Sequence, residues 1–194
     1  MDRYWLITWT TYGTRLAGDS RGFVSNVIDG PGPEVRLNIP GTPFAADIPA
    51  LWYHVRNRMT GPPVSLNVEQ AVALIAQYLE TAGVRQWSLE AAAVMFNHTH
   101  LVVGVMGDPD PDSIRKAFMS WATRALKKLG PVPENGTWWT TNGSERKLPK
   151  ERAVNDGVIY VARKQPNPLA TFYSDAWDGV ISSFDKHDSD LPSL

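Results

Sequence analysis

Apolar and polar positions alternate along this chain with two periods, and the switches between them mark its elements. Residues 4–12 are aromatic and β-branched and stop at Gly13, the pattern of an interior strand. Residues 13–22, with three glycines and Arg15, Asp19 and Arg21, read as a turn-rich loop. Seven prolines between 23 and 65 break every long periodicity, so this stretch reads as an insertion with one short element near 51–56. Asn67 caps a predicted helix that runs to residue 82, with Gly83 just past its end. Its apolar stripe is Val68, Ala71, Val72, Ile75, Leu79 and Ala82. Two apolar strands follow, 87–96 and 98–105. Asp110-Pro111-Asp112 opens a second helix with core positions Ile114, Phe118, Trp121, Ala122, Ala125 and Leu129, closed by Gly130-Pro131. Residues 137–141 read as a strand ended by a turn at Asn142-Gly143. A last helix spans about 149–165, where Pro166 and Pro168 stop it, and 171–194 read as a polar tail that wraps the domain.

Without the insertion, this order is β-α-β-β-α-β followed by an added helix. It predicts an α+β protein with a ferredoxin-like antiparallel sheet, two helices on one face, and the first and third strands as central neighbours. A chain of 194 residues fits one such domain over 1–170 with the insertion at about 23–65.

Composition narrows the chemistry. The absence of cysteine excludes disulfides, thiolate zinc sites and cysteine catalysis. No signal-peptide pattern opens the chain and no apolar run reaches membrane length, which leads to the expectation of a cytoplasmic protein with no membrane partner. The formal net charge of −1 hides an asymmetry: residues 113–164 hold eleven Lys or Arg against four Asp or Glu. Such a segment suits an anionic partner; a solvated helix face accounts for it equally well.

The stretch with the most chemistry is Phe96-Asn97-His98-Thr99-His100-Leu101-Val102-Val103. Residues two apart on a strand share a face, so His98 and His100 project together and Thr99 points the other way. Two imidazoles side by side are a pair of metal ligands. On the last helix, Val154, Val161, Ala162 and Gln165 fall within about 60° of Val158. Tyr160 lies on the opposite, polar side, with Gly157 one turn before it. Spacing alone leaves Tyr160 open between chemistry and a second packing surface. A metallo-β-lactamase motif is excluded, because Leu101, Val102 and Val103 follow the His pair where Asp and His are needed.

The chain resembles the single-tyrosine HUH transposases, including the REP-associated tyrosine transposases. The resemblance rests on the His98–His100 stretch, on Val158-Ile159-Tyr160-Val161-Ala162-Arg163-Lys164-Gln165, on Trp138-Trp139-Thr140, and on the opening 5–14. It covers about residues 4–22 and 66–170. It implies metal-dependent nicking and joining of single-stranded DNA at hairpin or repeat sequences. Tyr160 is then the nucleophile that forms a 5′-phosphotyrosine link, and His98 and His100 are ligands of Mg²⁺ or Mn²⁺. Lys164 stands where the family often has Gln or Asn. Gln165 therefore completes the ligand set only if the helix end departs from regular geometry. Arg115, Lys116, Arg124, Lys127, Arg163 and Lys164 would neutralise DNA phosphates. The resemblance leaves open a homodimer, and equally a domesticated, non-catalytic nucleic-acid-binding protein of the same fold.

Overall fold

The computed structural model describes residues 1–20 and 48–189. Its organising strand is β3 (His98–Val105), which pairs antiparallel with β1 (Arg3–Thr11) on one side and β2 (Ser88–Val94) on the other. The outer strands are β4 (Trp139–Lys147) beside β1 and β5 (Ala170–Tyr173) beside β2, so the sheet order is β4-β1-β3-β2-β5 and every pairing is antiparallel. Five helices accompany the sheet among the described residues: α1 (Pro49–Asn57), α2 (Val68–Arg85), α3 (Pro111–Leu129), α4 (Glu151–Arg163) and α5 (Asp178–Ser189). The protein is thus a mixed α+β structure with an open five-stranded antiparallel sheet.

Strand alternation divides the interior into two cores. On one face Trp5, Ile7, Trp9, Leu101 and Val103 meet Ala71, Leu74 and Tyr78 of α2 and Ile114, Phe118 and Leu126 of α3. Trp9, Tyr78 and Phe118 form an edge-to-face chain with centroids 5.8 Å apart at each step. Full burial of each such side chain contributes about 1.5–3 kcal/mol. On the other face Ala91, Ala93, Met95 and Val102 pack against Val154, Val158 and Val161 of α4 and Ile181 of α5. Asn67 caps α2 reciprocally with Gln70: the Asn67 side chain accepts from Gln70 N at 2.8 Å and Gln70 Oε1 accepts from Asn67 N at 3.0 Å.

Several elements differ from the sequence expectation. α2 continues through Gly83 to Arg85 and is closed by Gln86 in the left-handed region. It buries Ala71, Leu74, Tyr78 and Ala82, and leaves Val68, Val72 and Leu79 exposed. Its apolar arc is wider than the face the sheet and α3 can cover. On α3, Trp121 and Leu129 are exposed while Arg115 is buried. Asn142-Gly143 is no turn: β4 runs through it to Lys147, with Gly143 opposite Trp9 of β1. The stretch after 170 supplies β5, a 3-10 turn at Asp175–Trp177 and α5. Most of the insertion read at 23–65 lies outside the described residues; its expected short element is α1, a helix with no buried residue.

The glycine at 143 is required by crowding. A Cβ there would stand 2.6 Å from Thr8 O and 2.5 Å from Arg115 Cδ. Arg115 is held in place by Asp112, Glu145 and Thr141 O. Gly143→Ala is expected to cost about 1–3 kcal/mol, read as a lower urea midpoint with an unchanged m-value.

Candidate active site

β3 enters its central position at His98, and its first and third residues are the two histidines. The face assignment is settled by neighbours: Val102 belongs to the α4 core, whereas Leu101 and Val103 belong to the α2–α3 core. His98 and His100 share the Val102 face, with ring centroids 4.9 Å apart and planes at 87°. Thr99 is fully buried on the far side, toward the Tyr78 hydroxyl, and neither hydroxyl completes a well-formed hydrogen bond.

Each imidazole has its Nδ1 engaged. His100 pairs across the strands with Thr8, whose Oγ1 lies 2.6 Å from His100 Nδ1. His98 Nδ1 lies 2.6 Å from Oδ1 of Asn97, the residue before it. Hydrogen bonding at Nδ1 leaves Nε2 as the nitrogen available to a ligand, the usual arrangement behind a metal-binding histidine. Burial, and then the neighbouring His98, push His100 down to about 3, against the pull of a hydrogen bond with the Gln165 side chain. Burial, and then Arg15, lower His98 as well. Both rings are therefore neutral at physiological pH, the form that donates a lone pair.

α4 brings the tyrosine. Gly157 lies over the sheet, where a Cβ would stand 3.1 Å from Leu148 Cδ1 and 3.6 Å from Val102 Cγ2. Its lack of a side chain seats α4 closely on β3 at Val102. One turn later Tyr160 reaches His100, two residues back along the same strand face, with centroids 5.3 Å apart and planes at 73°. Tyr160 remains 39% exposed, so the ring has a packed edge and an open one.

The helix end supplies a fourth group. α4 stops at Arg163 and Lys164 caps it, its N–H donating to Tyr160 O at 3.2 Å. Gln165 therefore leaves the helical path and turns back: its Nε2 donates to the same Tyr160 carbonyl at 3.0 Å, and its side chain also reaches His100. His98, His100, Tyr160 and Gln165 are thus together. No cluster of three His, Cys, Asp or Glu exists among the described residues, so a metal at this place would take two imidazoles and an amide oxygen.

The cations read from sequence are distributed differently. Arg115 is an internal brace, bonded to Asp112 and Glu145, and Lys116 pairs with Asp112. Arg124 stacks on Trp121, 4.2 Å from its centroid, and lies with Lys127 on α3, across the sheet from Tyr160. Arg163 stands near the site but is engaged by Asp185 of α5 at 2.9 Å, and Lys164 lies 5.3 Å from the Phe184 ring. Sequence reasoning missed Thr8 and Asn97 as partners of the histidines. The signal for Thr8 was the polar alternation of Thr8 and Thr10 in an otherwise apolar strand, which becomes legible only with the register.

No family model matches the chain, and no curated protein matches it. Among solved structures the chain is similar to a REP-associated tyrosine transposase bound to a REP hairpin, at 14% identity and a TM-score of 0.42. The match covers 82% of this chain and 64% of that one, so the chain spans less than two thirds of that neighbour's length. No helix among the described residues is long and apolar enough to cross a membrane.

His100 sets a pH dependence whose sign is fixed. Its folded value lies below the unfolded value of about 6.5, so protons favour the unfolded chain. The corresponding stability is complete above about 6.5 and is lost as pH falls toward 3. In metal-free protein, urea midpoints are expected to decline over that window, and His100→Gln is expected to flatten the decline.

Proposed function

We propose that this protein nicks and rejoins single-stranded DNA through a covalent tyrosine intermediate, as a transposase-like enzyme of the single-tyrosine HUH kind. The observation that carries the reading is the seating of Tyr160 on His100, with His98 and Gln165 at the same place. The strand order β4-β1-β3-β2, with α2 and α3 on one face, supports the ferredoxin-like reading of the first four strands. β5 and α5 are then additions to a single domain. A DNA substrate agrees with a cytoplasmic setting.

The residues fit a divalent metal. His98 and His100 would hold it through Nε2 and Gln165 through its amide oxygen. Bound there, the ion would draw charge from a non-bridging oxygen of the scissile phosphate. Two imidazoles with one amide suit Mn²⁺ better than Mg²⁺, which prefers oxygen throughout.

The chain's own contribution is the nucleophile and its placement. Tyr160 Oη attacks phosphorus in line, the P–O3′ bond breaks, and the 3′ oxygen leaves and takes up a proton. The phenol proton passes to solvent at the open edge of the ring. The products are a 5′-phosphotyrosine and a free 3′-OH, and the reverse attack joins strands without ATP, because the diester energy is retained. The contact with His100 and the hydrogen bonds to the Tyr160 carbonyl fix the nucleophile, which removes orientational freedom from the attack.

A DNA hairpin with a single-stranded flank, incubated with Mn²⁺, is expected to give a covalent protein–DNA adduct visible on a denaturing gel. Tyr160→Phe should abolish the adduct and leave DNA binding nearly intact. Mn²⁺ should support the reaction better than Mg²⁺. Binding with no adduct across varied hairpins would instead favour a domesticated nucleic-acid-binding protein. The engagement of Arg163 by Asp185 speaks for that second reading, because it withdraws a cation from the phosphate path.

A further inference from the structure

At the end of the sheet that carries the His98 turn, the loop after β1 and helix α1 enclose a cleft of about 820 Å³. That size falls within the range of small-ligand pockets. Its lining includes Thr14, Gly18, Trp52, Tyr53 and Arg56. α1 is placed by the loop: Gly18 has φ +85°, and a Cβ there would stand 2.5 Å from Ile48 O and 2.6 Å from Trp52 N. The helix buries nothing, yet it carries two aromatic rings and two arginines within Trp52-Tyr53-His54-Val55-Arg56-Asn57-Arg58. Tyr53 is 60% exposed, Trp52 and Tyr53 meet edge to face at 5.1 Å, and the Arg56 guanidinium lies 4.7 Å from the Trp52 centroid. No Asp or Glu occurs from 48 to 66, so α1 itself is a cationic wall, faced across the cleft lining by Asp19 of the loop. Exposed Tyr53 and Arg56 beside half-buried Trp52 offer stacking surfaces and a phosphate partner.

Hydrogen bonds tie the loop that lines the cleft to the turn before His98. Thr14 Oγ1 donates to Thr11 O at 2.9 Å and, more weakly, to Asn97 O at 3.4 Å. Thr11 N also donates to Asn97 O, at 2.9 Å, and Asn97 is the residue that holds His98.

We propose that this cleft is a binding subsite for unpaired nucleotides, with bases stacking against Trp52 and Tyr53 and backbone phosphate drawn to Arg56. The proposal rests on the reading of the protein as a single-strand DNA enzyme, and extends it to a place where sequence reasoning assigned no contact. Duplex DNA satisfies the site poorly, because its bases are already stacked and present no free face to the aromatic rings.

The test uses the full chain in EDTA, which separates binding from cleavage, and a fluorescein-labelled oligothymidylate of about a dozen nucleotides followed by anisotropy. Trp52→Ala should weaken binding about tenfold or more, the range for loss of a base–aromatic stack, and Trp52→Phe should retain most of it. Arg56→Ala should lower the slope of log K against log salt by about 0.7, one phosphate contact on a single strand. Wild-type affinity in Trp52→Ala, with the far-ultraviolet dichroism of the folded protein, would overturn the proposal. Equal weakening on a blunt duplex would overturn it as well, and make α1 a duplex-docking face. The covalent adduct at Tyr160 is scored separately with Mn²⁺. Normal oligothymidylate binding through Trp52 with no adduct would defeat the enzyme reading alone, whereas an adduct with Trp52-independent binding would defeat the subsite alone.

Discussion

Because β3 is hydrogen-bonded along both edges and covered on both faces, it has no freedom to choose which side chains it shows to which core. A shift of one residue would put Thr99, Leu101 and Val103 against α4 and turn both imidazoles into the α2–α3 core. The apolar cost of that exchange fixes the register, and the register places the histidines. The same enclosure makes them neutral. His100 is buried at the sheet centre beside a second imidazole, so its charged form is disfavoured by desolvation before any ligand is considered. Position and protonation state are therefore two outcomes of one constraint.

The strands were the most legible part of the sequence. β1 and β3 declare themselves by aromatic, β-branched and alternating residues, and the face shared by His98 and His100 follows from a period of two. The helices were legible in kind but less so in orientation. α2 has apolar residues over more than its contact face, and the sequence does not say that Leu74 and Tyr78 face the sheet while Val72 and Leu79 face water. Gly143 misled for a specific reason: Asn-Gly is a turn signature, but here the glycine is needed so that β4 can approach β1 beneath Arg115. Gln165 sits outside a regular helix path, and only the termination of α4 at Arg163 brings its side chain back.

Charge was the least transferable clue. The basic excess in 113–164 is real in composition, yet much of it is spent within the protein: Arg115 on Asp112 and Glu145, Lys147 near Asp108, Arg163 on Asp185. Counting along the chain cannot distinguish a cation that braces a strand from one that faces solvent. Arg56 and Arg58 drew no attention in the sequence, because they lie in a proline-broken stretch with no long periodicity. Their significance comes from α1 standing on the loop after β1 with its polar and aromatic side chains outward.

The Tyr160 carbonyl accepts from both the Lys164 backbone and the Gln165 side chain, and Gln165 in turn touches His100. The aromatic ring and the carboxamide are thereby mounted on one short piece of backbone. A movement of the end of α4 cannot withdraw one and leave the other in place. The tyrosine and the carboxamide form one mechanical part set against the fixed histidines of β3, and α5, which grips Arg163 through Asp185, holds that part from outside it.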